Sequence, residues 1–108
     1  MVSKPLPVPV RRAMSELGQD LATWRRLRNL TIAQVAERAD VARGVVIKLE
    51  AGGGATLEST LRVARALGIL DSLASAIDPY HTDVGRLRAE ETLPRRVRHR
   101  AVPRDESA

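Results

Sequence analysis

The chain is cut into short stretches by its own breakers. Asn29, Asp40, Gly52-Gly53-Gly54, Gly68 and Asp78-Pro79 divide residues 14–78 into five segments. Each segment carries apolar residues at a helical spacing. Five short helices with connections of a few residues make a compact all-α domain.

One segment, "DVARGVVIKLEAGGG" (residues 40–54), is ambiguous by composition. Val45, Val46 and Ile47 favour a strand because β-branched side chains are stiff and suit a pleated surface. Spacing decides the question. On a helix, Val41, Val45 and Leu49 form one stripe with Val46 and Glu50 beside it, while Arg43, Gly44, Ile47 and Lys48 lie opposite. On a strand, Arg43 would share a face with Val45, Ile47 and Leu49, mixing charge into the apolar side. The spacing predicts a helix, ended by the three glycines.

The other segments follow the same logic. Met14, Leu17, Leu21, Trp24 and Leu27 mark the inner face of a first helix, with Trp24 in the core. Thr31 can cap a second helix whose inner side is Val35, Ala36 and Ala39, and Asp40 suits the left-handed turn that must follow. Thr56 opens a capping box ahead of Leu57, Leu61, Val63, Ala64 and Leu67. A fifth helix carries Leu70, Leu73, Ala74 and Ile77. Pro5, Pro7 and Pro9 predict a flexible, extended arm over residues 1–13. Residues 79–108, rich in Arg, Glu and Pro and sparse in apolar residues, predict a basic tail that is disordered when alone.

Composition removes several classes of function. There are no cysteines, hence no disulfides, thiolate metal sites or cysteine nucleophiles. His81 and His99 stand apart, and no carboxylate pair or Ser/His/Asp set falls on one face. A phosphate-holding loop needs glycines before a helix with a Lys and Ser/Thr after them, and "GGGATLE" lacks that lysine. No enzyme, metal or cofactor is therefore expected. "MVSKPLPVPVRR" has no apolar run long enough for a signal peptide, and no segment nears the roughly 20 apolar residues of a membrane span, so a cytoplasmic protein is expected.

The charge is +5 overall, yet residues 15–78 hold eight basic and eight acidic side chains. The whole excess lies outside that span, with Lys4, Arg11 and Arg12 before it and a net +2 after it. Such tails favour a polyanion partner whatever its sequence.

Helix, tight turn at Asp40-Val41, helix with a charged outer stripe is the arrangement in which a second helix enters the DNA major groove. Across residues 17–69 the chain resembles the phage-repressor (Xre) family of helix-turn-helix domains. Leu21, Arg25, Val35-Ala36, Val41, Val46, Lys48-Leu49-Glu50 and "TLESTLRVARALG" carry the resemblance. It implies a lambda-repressor-like domain over residues 14–78 that binds operator DNA as a homodimer and represses transcription.

The resemblance further implies base contacts from Ala42, Arg43, Gly44, Ile47 and Lys48, with Arg43 and Lys48 carrying most polar readout. It places Arg25, Thr31 and the amides of Gly52 and Gly53 on the DNA backbone, and pairs Arg25 with Glu50. A charge at Glu50 beside an apolar stripe needs such a partner in any case. Leu70, Leu73 and Ile77 are the expected dimer seam. The family often carries Gln where this chain has Ile32, and Gly in the turn where it has Asp40.

"DPYHTDVGRLRAEETLPRRVRHR" (residues 78–100), coming after the "TLESTLRVARALG" ending, resembles the small HipB-like antitoxins, which partner HipA-like kinase toxins. Leu87, Leu93 and Val97 would anchor on a partner, or Arg95, Arg96, Arg98 and Arg100 would lie on DNA phosphates. A stand-alone Xre-type regulator and an adaptor that docks proteins through its helices are the alternatives.

Overall fold

The structure, a computed structural model, describes residues 4–92. Among them are six α-helices and one 3-10 turn: α1 (Val8–Leu27), α2 (Ile32–Ala39), α3 (Arg43–Glu50), α4 (Leu57–Leu67), α5 (Leu70–Ala76), the turn Pro79–His81 and α6 (Asp83–Thr92). Two compact units divide the chain after Asp71.

In the first unit, α2 packs on α3 and α4, and α1 packs on α3. The core is Leu21, Leu30, Val35, Ala36, Ala39, Val46, Leu49, Val63 and Leu67. Val35, Val46, Val63 and Leu67 are fully buried, and burial of one such side chain stabilises by roughly 1.5–3 kcal/mol. With one tryptophan and no phenylalanine, fit between aliphatic side chains and small residues must supply the packing.

Helix α1 differs from expectation in two ways. It begins at Val8, well inside the predicted arm, with Pro7 as its N-cap. A proline in the first turn lacks only an N–H that has no helical partner there, so Pro9 starts the helix rather than blocking it. Its buried face is also rotated from the large apolar stripe: Gly18, Leu21 and Ala22 are inside, whereas Leu17, Trp24 and Leu27 are exposed. Trp24 is thus not a core residue. It is 37% exposed, and the Arg28 guanidinium stands 5.1 Å from its ring centroid.

Gly18 explains the rotation. A Cβ there would collide with the Leu49 carbonyl oxygen and lie 2.8 Å from that of Glu50. Helix α1 therefore approaches the last turn of α3 backbone to backbone, which a bulkier residue would prevent.

The turns follow side-chain chemistry. Thr31 makes a full capping box: its hydroxyl accepts from Gln34 N–H at 3.0 Å, and the Gln34 side chain accepts from Thr31 N–H at 2.8 Å. Thr56 makes only half of the expected box, accepting from Ser59 N–H at 3.0 Å, because serine is too short to reach back. Asp40 sits at φ 57, ψ 49, in the left-handed region as expected. Leu57, predicted inward, is exposed at the first position of α4.

In the second unit, residues from the tail expected to be disordered form α6. Thr82 Oγ accepts from Gly85 N–H at 2.9 Å, and Arg86 pairs with Asp83 one turn away. Capping and local ion pairs support a helix here with little apolar content. Leu87 is exposed on α6; Leu93, Arg95, Arg96 and Arg98 lie outside the described residues.

Candidate nucleic-acid interface

Two short helices joined by a tight turn lie at the centre of the first unit. The α2 carbonyls of Ala36 and Glu37 accept from Asp40 N–H, and Ala36 also accepts from Val41 N–H at 3.0 Å. The left-handed Asp40 swings the chain so that α3 leaves at a new angle. Helix α3 buries Val46 and Leu49 and half-buries Val45. Its other side, Arg43, Gly44, Ile47 and Lys48, is exposed, with Ala42 at the N-cap. Ile47 is half exposed to solvent on that face.

The end of α3 is fastened to α1 by charge. Arg25 Nε donates to Glu50 Oε2 at 2.7 Å, Nη2 donates to Oε1 at 3.1 Å, and Nη1 donates to the Leu30 carbonyl at 3.1 Å. The pair is shielded, with side chains 15% and 14% exposed. Hydrogen bonding to Glu50 pushes the Arg25 guanidinium above its already high range, against the opposing effect of burial. Three of its five N–H groups are spent inside, so Arg25 acts first as a fastener.

Residues 21–71 match a family model described as helix-turn-helix. Residues 21–71 are a helix-turn-helix domain. The family is one of DNA-binding regulators rather than enzymes. No curated protein and no solved structure matches the chain. No helix among the described residues is long and apolar enough to cross a membrane. None of their His, Asp and Glu side chains cluster in a group able to hold a metal ion.

The structure brings five of the expected residues together on the exposed side of α3: Ala42, Arg43, Gly44, Ile47 and Lys48. Thr31 is exposed at the start of α2; its oxygen caps the helix, and its hydroxyl proton can still be donated. The two loop glycines are placed differently from expectation. Gly52 N–H donates to Leu49 O at 3.0 Å and Gly53 N–H to Lys48 O at 2.8 Å, so both amides close the helix end. In the loop that follows, the amides of Gly54 and Ala55 have no backbone acceptor among the described residues.

Sequence reasoning also missed a positioning residue. Gly18 stands far from α3 in sequence, yet it sets how closely α1 meets the end of that helix. Its spacing with Leu21, Ala22 and Arg25, at i, i+3, i+4 and i+7, was the available signal. For the predicted dimer seam, Leu70 and Leu73 are half-buried on α5 and Ile77, just past its end, is 87% exposed.

Proposed function

We propose that the protein is a sequence-specific transcriptional repressor that binds operator DNA as a homodimer through the exposed face of α3. The observation that carries this reading is a charged, open face on a helix whose other side is buried and whose end is fastened by Arg25 and Glu50. Arg43 at the first helical position can donate two hydrogen bonds to guanine O6 and N7, and Ile47 can pack on a thymine methyl. Ala42 and Gly44 leave room for a close approach. The Thr31 hydroxyl and the amides of Gly54 and Ala55 suit phosphate oxygens.

One recognition helix covers few base pairs, so two copies on half-sites one helical turn apart raise both affinity and specificity. Leu70, Leu73 and Ile77 are the proposed seam. A reporter behind the DNA upstream of the protein's own coding region tests the reading. Wild type represses it, and Arg43→Ala, whose side chain is exposed and outside the core, does not; equal repression by both proteins would contradict it.

A finer reading makes this repressor the autoregulating antitoxin of a type II pair. What favours it is α6, which exposes Val84 and Leu87 one turn apart among charged residues. Those two would anchor on a HipA-like kinase toxin. Cutting the chain after Pro79 tests it: the shortened protein keeps its preference for operator over scrambled DNA but loses a co-expressed kinase-like neighbour. Retention of that neighbour would leave the stand-alone repressor.

A further inference from the structure

We infer that Lys48 holds a DNA phosphate rather than reading a base, and that Gly53 is the positioning residue that sets its direction. Base reading from α3 then rests on Arg43 and Ile47. The inference deepens the DNA-reading function proposed above and rests on it.

The geometry is specific. A Cβ built on Gly53 would lie 2.6 Å from Lys48 Cγ, 3.1 Å from the Lys48 carbonyl oxygen and 3.3 Å from Lys48 Cε. The lysine stem therefore runs across the Gly53 α-carbon and fills the space that a side chain would take. Only one bond separates Cε from Nζ, so the ammonium stays beside the loop that follows α3. The backbone ties the same two residues together, since Gly53 N–H donates to Lys48 O at 2.8 Å.

Position along the helix separates the two cations. Arg43 opens α3 and Lys48 stands in its last turn; five residues at the helical rise amount to about 7.5 Å. Recognition helices place their N-terminal residues on base edges, which favours Arg43 as the reader. Chemistry agrees with position. The arginine fork matches guanine bidentately, whereas a lysine ammonium is a compact point charge well suited to phosphate. Its charge is also uncommitted: the neighbouring carboxylate, Glu50, is held by Arg25, and no ion pair involves Lys48 among the described residues.

The test is a binding titration of full-length protein on two duplexes, one carrying the DNA upstream of its own coding region and one a scrambled sequence of equal composition. Each is measured at several salt concentrations, with thermal unfolding recorded for every variant. Arg43→Ala should cut the preference for the native duplex by about five-fold or more. Lys48→Ala should weaken binding to both duplexes by the same factor and leave the preference unchanged. It should also make the salt dependence shallower, by about 0.9 in log–log slope for each phosphate that the protein no longer neutralises.

Gly53→Ala should weaken binding as Lys48→Ala does, and its effect should be much smaller in a Lys48→Ala background, where the Cγ it would strike is gone and only the milder 3.1 Å approach to the Lys48 carbonyl oxygen remains. Loss of preference in Lys48→Ala comparable to that in Arg43→Ala would overturn the inference alone. So would an undiminished effect of Gly53→Ala in the double variant. A wild-type protein with no preference between the duplexes would overturn the DNA-reading function itself, and the inference with it.

Discussion

Arg25 and Glu50, 25 positions apart in sequence, meet in a two-pronged ion pair, with Arg25 Nε 2.7 Å from Glu50 Oε2. A third prong reaches the Leu30 carbonyl. One guanidinium thus joins α1, the end of α3 and the chain entering α2. Glu50→Ala would leave Arg25 shielded without its counter-charge. The cost lies between that of an exposed pair and that of a fully buried one, roughly 2–4 kcal/mol. Chemical denaturation should show this loss; a change under about 0.5 kcal/mol would mean the pair is decorative.

Gly18→Ala is a second prediction. The added methyl meets two backbone carbonyl oxygens, of Leu49 and Glu50, and neither can swing aside. Overpacking of this kind costs about 1–3 kcal/mol, and it should outweigh alanine's better helix propensity. The variant should melt lower than wild type and bind DNA less tightly, because α3 must shift.

Gly44→Ala should behave in the opposite sense. Nothing lies within 4 Å of a Cβ built there, so the fold does not require glycine at this helical position. Alanine should raise stability by about 0.5–1 kcal/mol. If α3 approaches DNA closely at this point, the same methyl should weaken operator binding. A variant that is more stable and binds equally well would show that Gly44 makes no close contact.

Asp40→Gly addresses the turn. Asp40 holds φ 57 with an exposed side chain, and its contact with Arg62 is a loose 3.8 Å. Relief of left-handed strain should outweigh glycine's greater unfolded-state freedom and that weak ion pair, raising stability by up to about 1 kcal/mol. A valine at the same place should destabilise, since a β-branched residue resists the left-handed region. Thermal unfolding of the two variants checks both signs.

The helix-turn-helix itself was legible because its signals are local. Val35, Ala36 and Ala39 on α2, and Val46 and Leu49 on α3, repeat at helical spacing and are all buried, and Asp40 marks the turn between them. The α1 interface was not legible from large apolar residues. It is made by Gly18, Ala22 and Arg25 around Leu21, and what decides it is backbone proximity and a distant carboxylate. Helix α6 escaped notice because its support is polar, a Thr82 cap and an Asp83–Arg86 pair, rather than periodic burial. The roles of Gly52 and Gly53 depend on where their N–H groups point, which composition does not reveal.

The most direct measurement is a fluorescence-anisotropy titration of the full-length protein. It uses the duplex upstream of its own coding region and a scrambled duplex, each at two salt concentrations. The account predicts that the native duplex binds much more tightly than the scrambled one and keeps that advantage at the higher salt, because base contacts survive screening. Equal binding to both duplexes, falling steeply with salt, would mean that only basic side chains on phosphates are acting. That result would contradict a DNA-reading α3 and favour an adaptor that uses its helices to dock proteins.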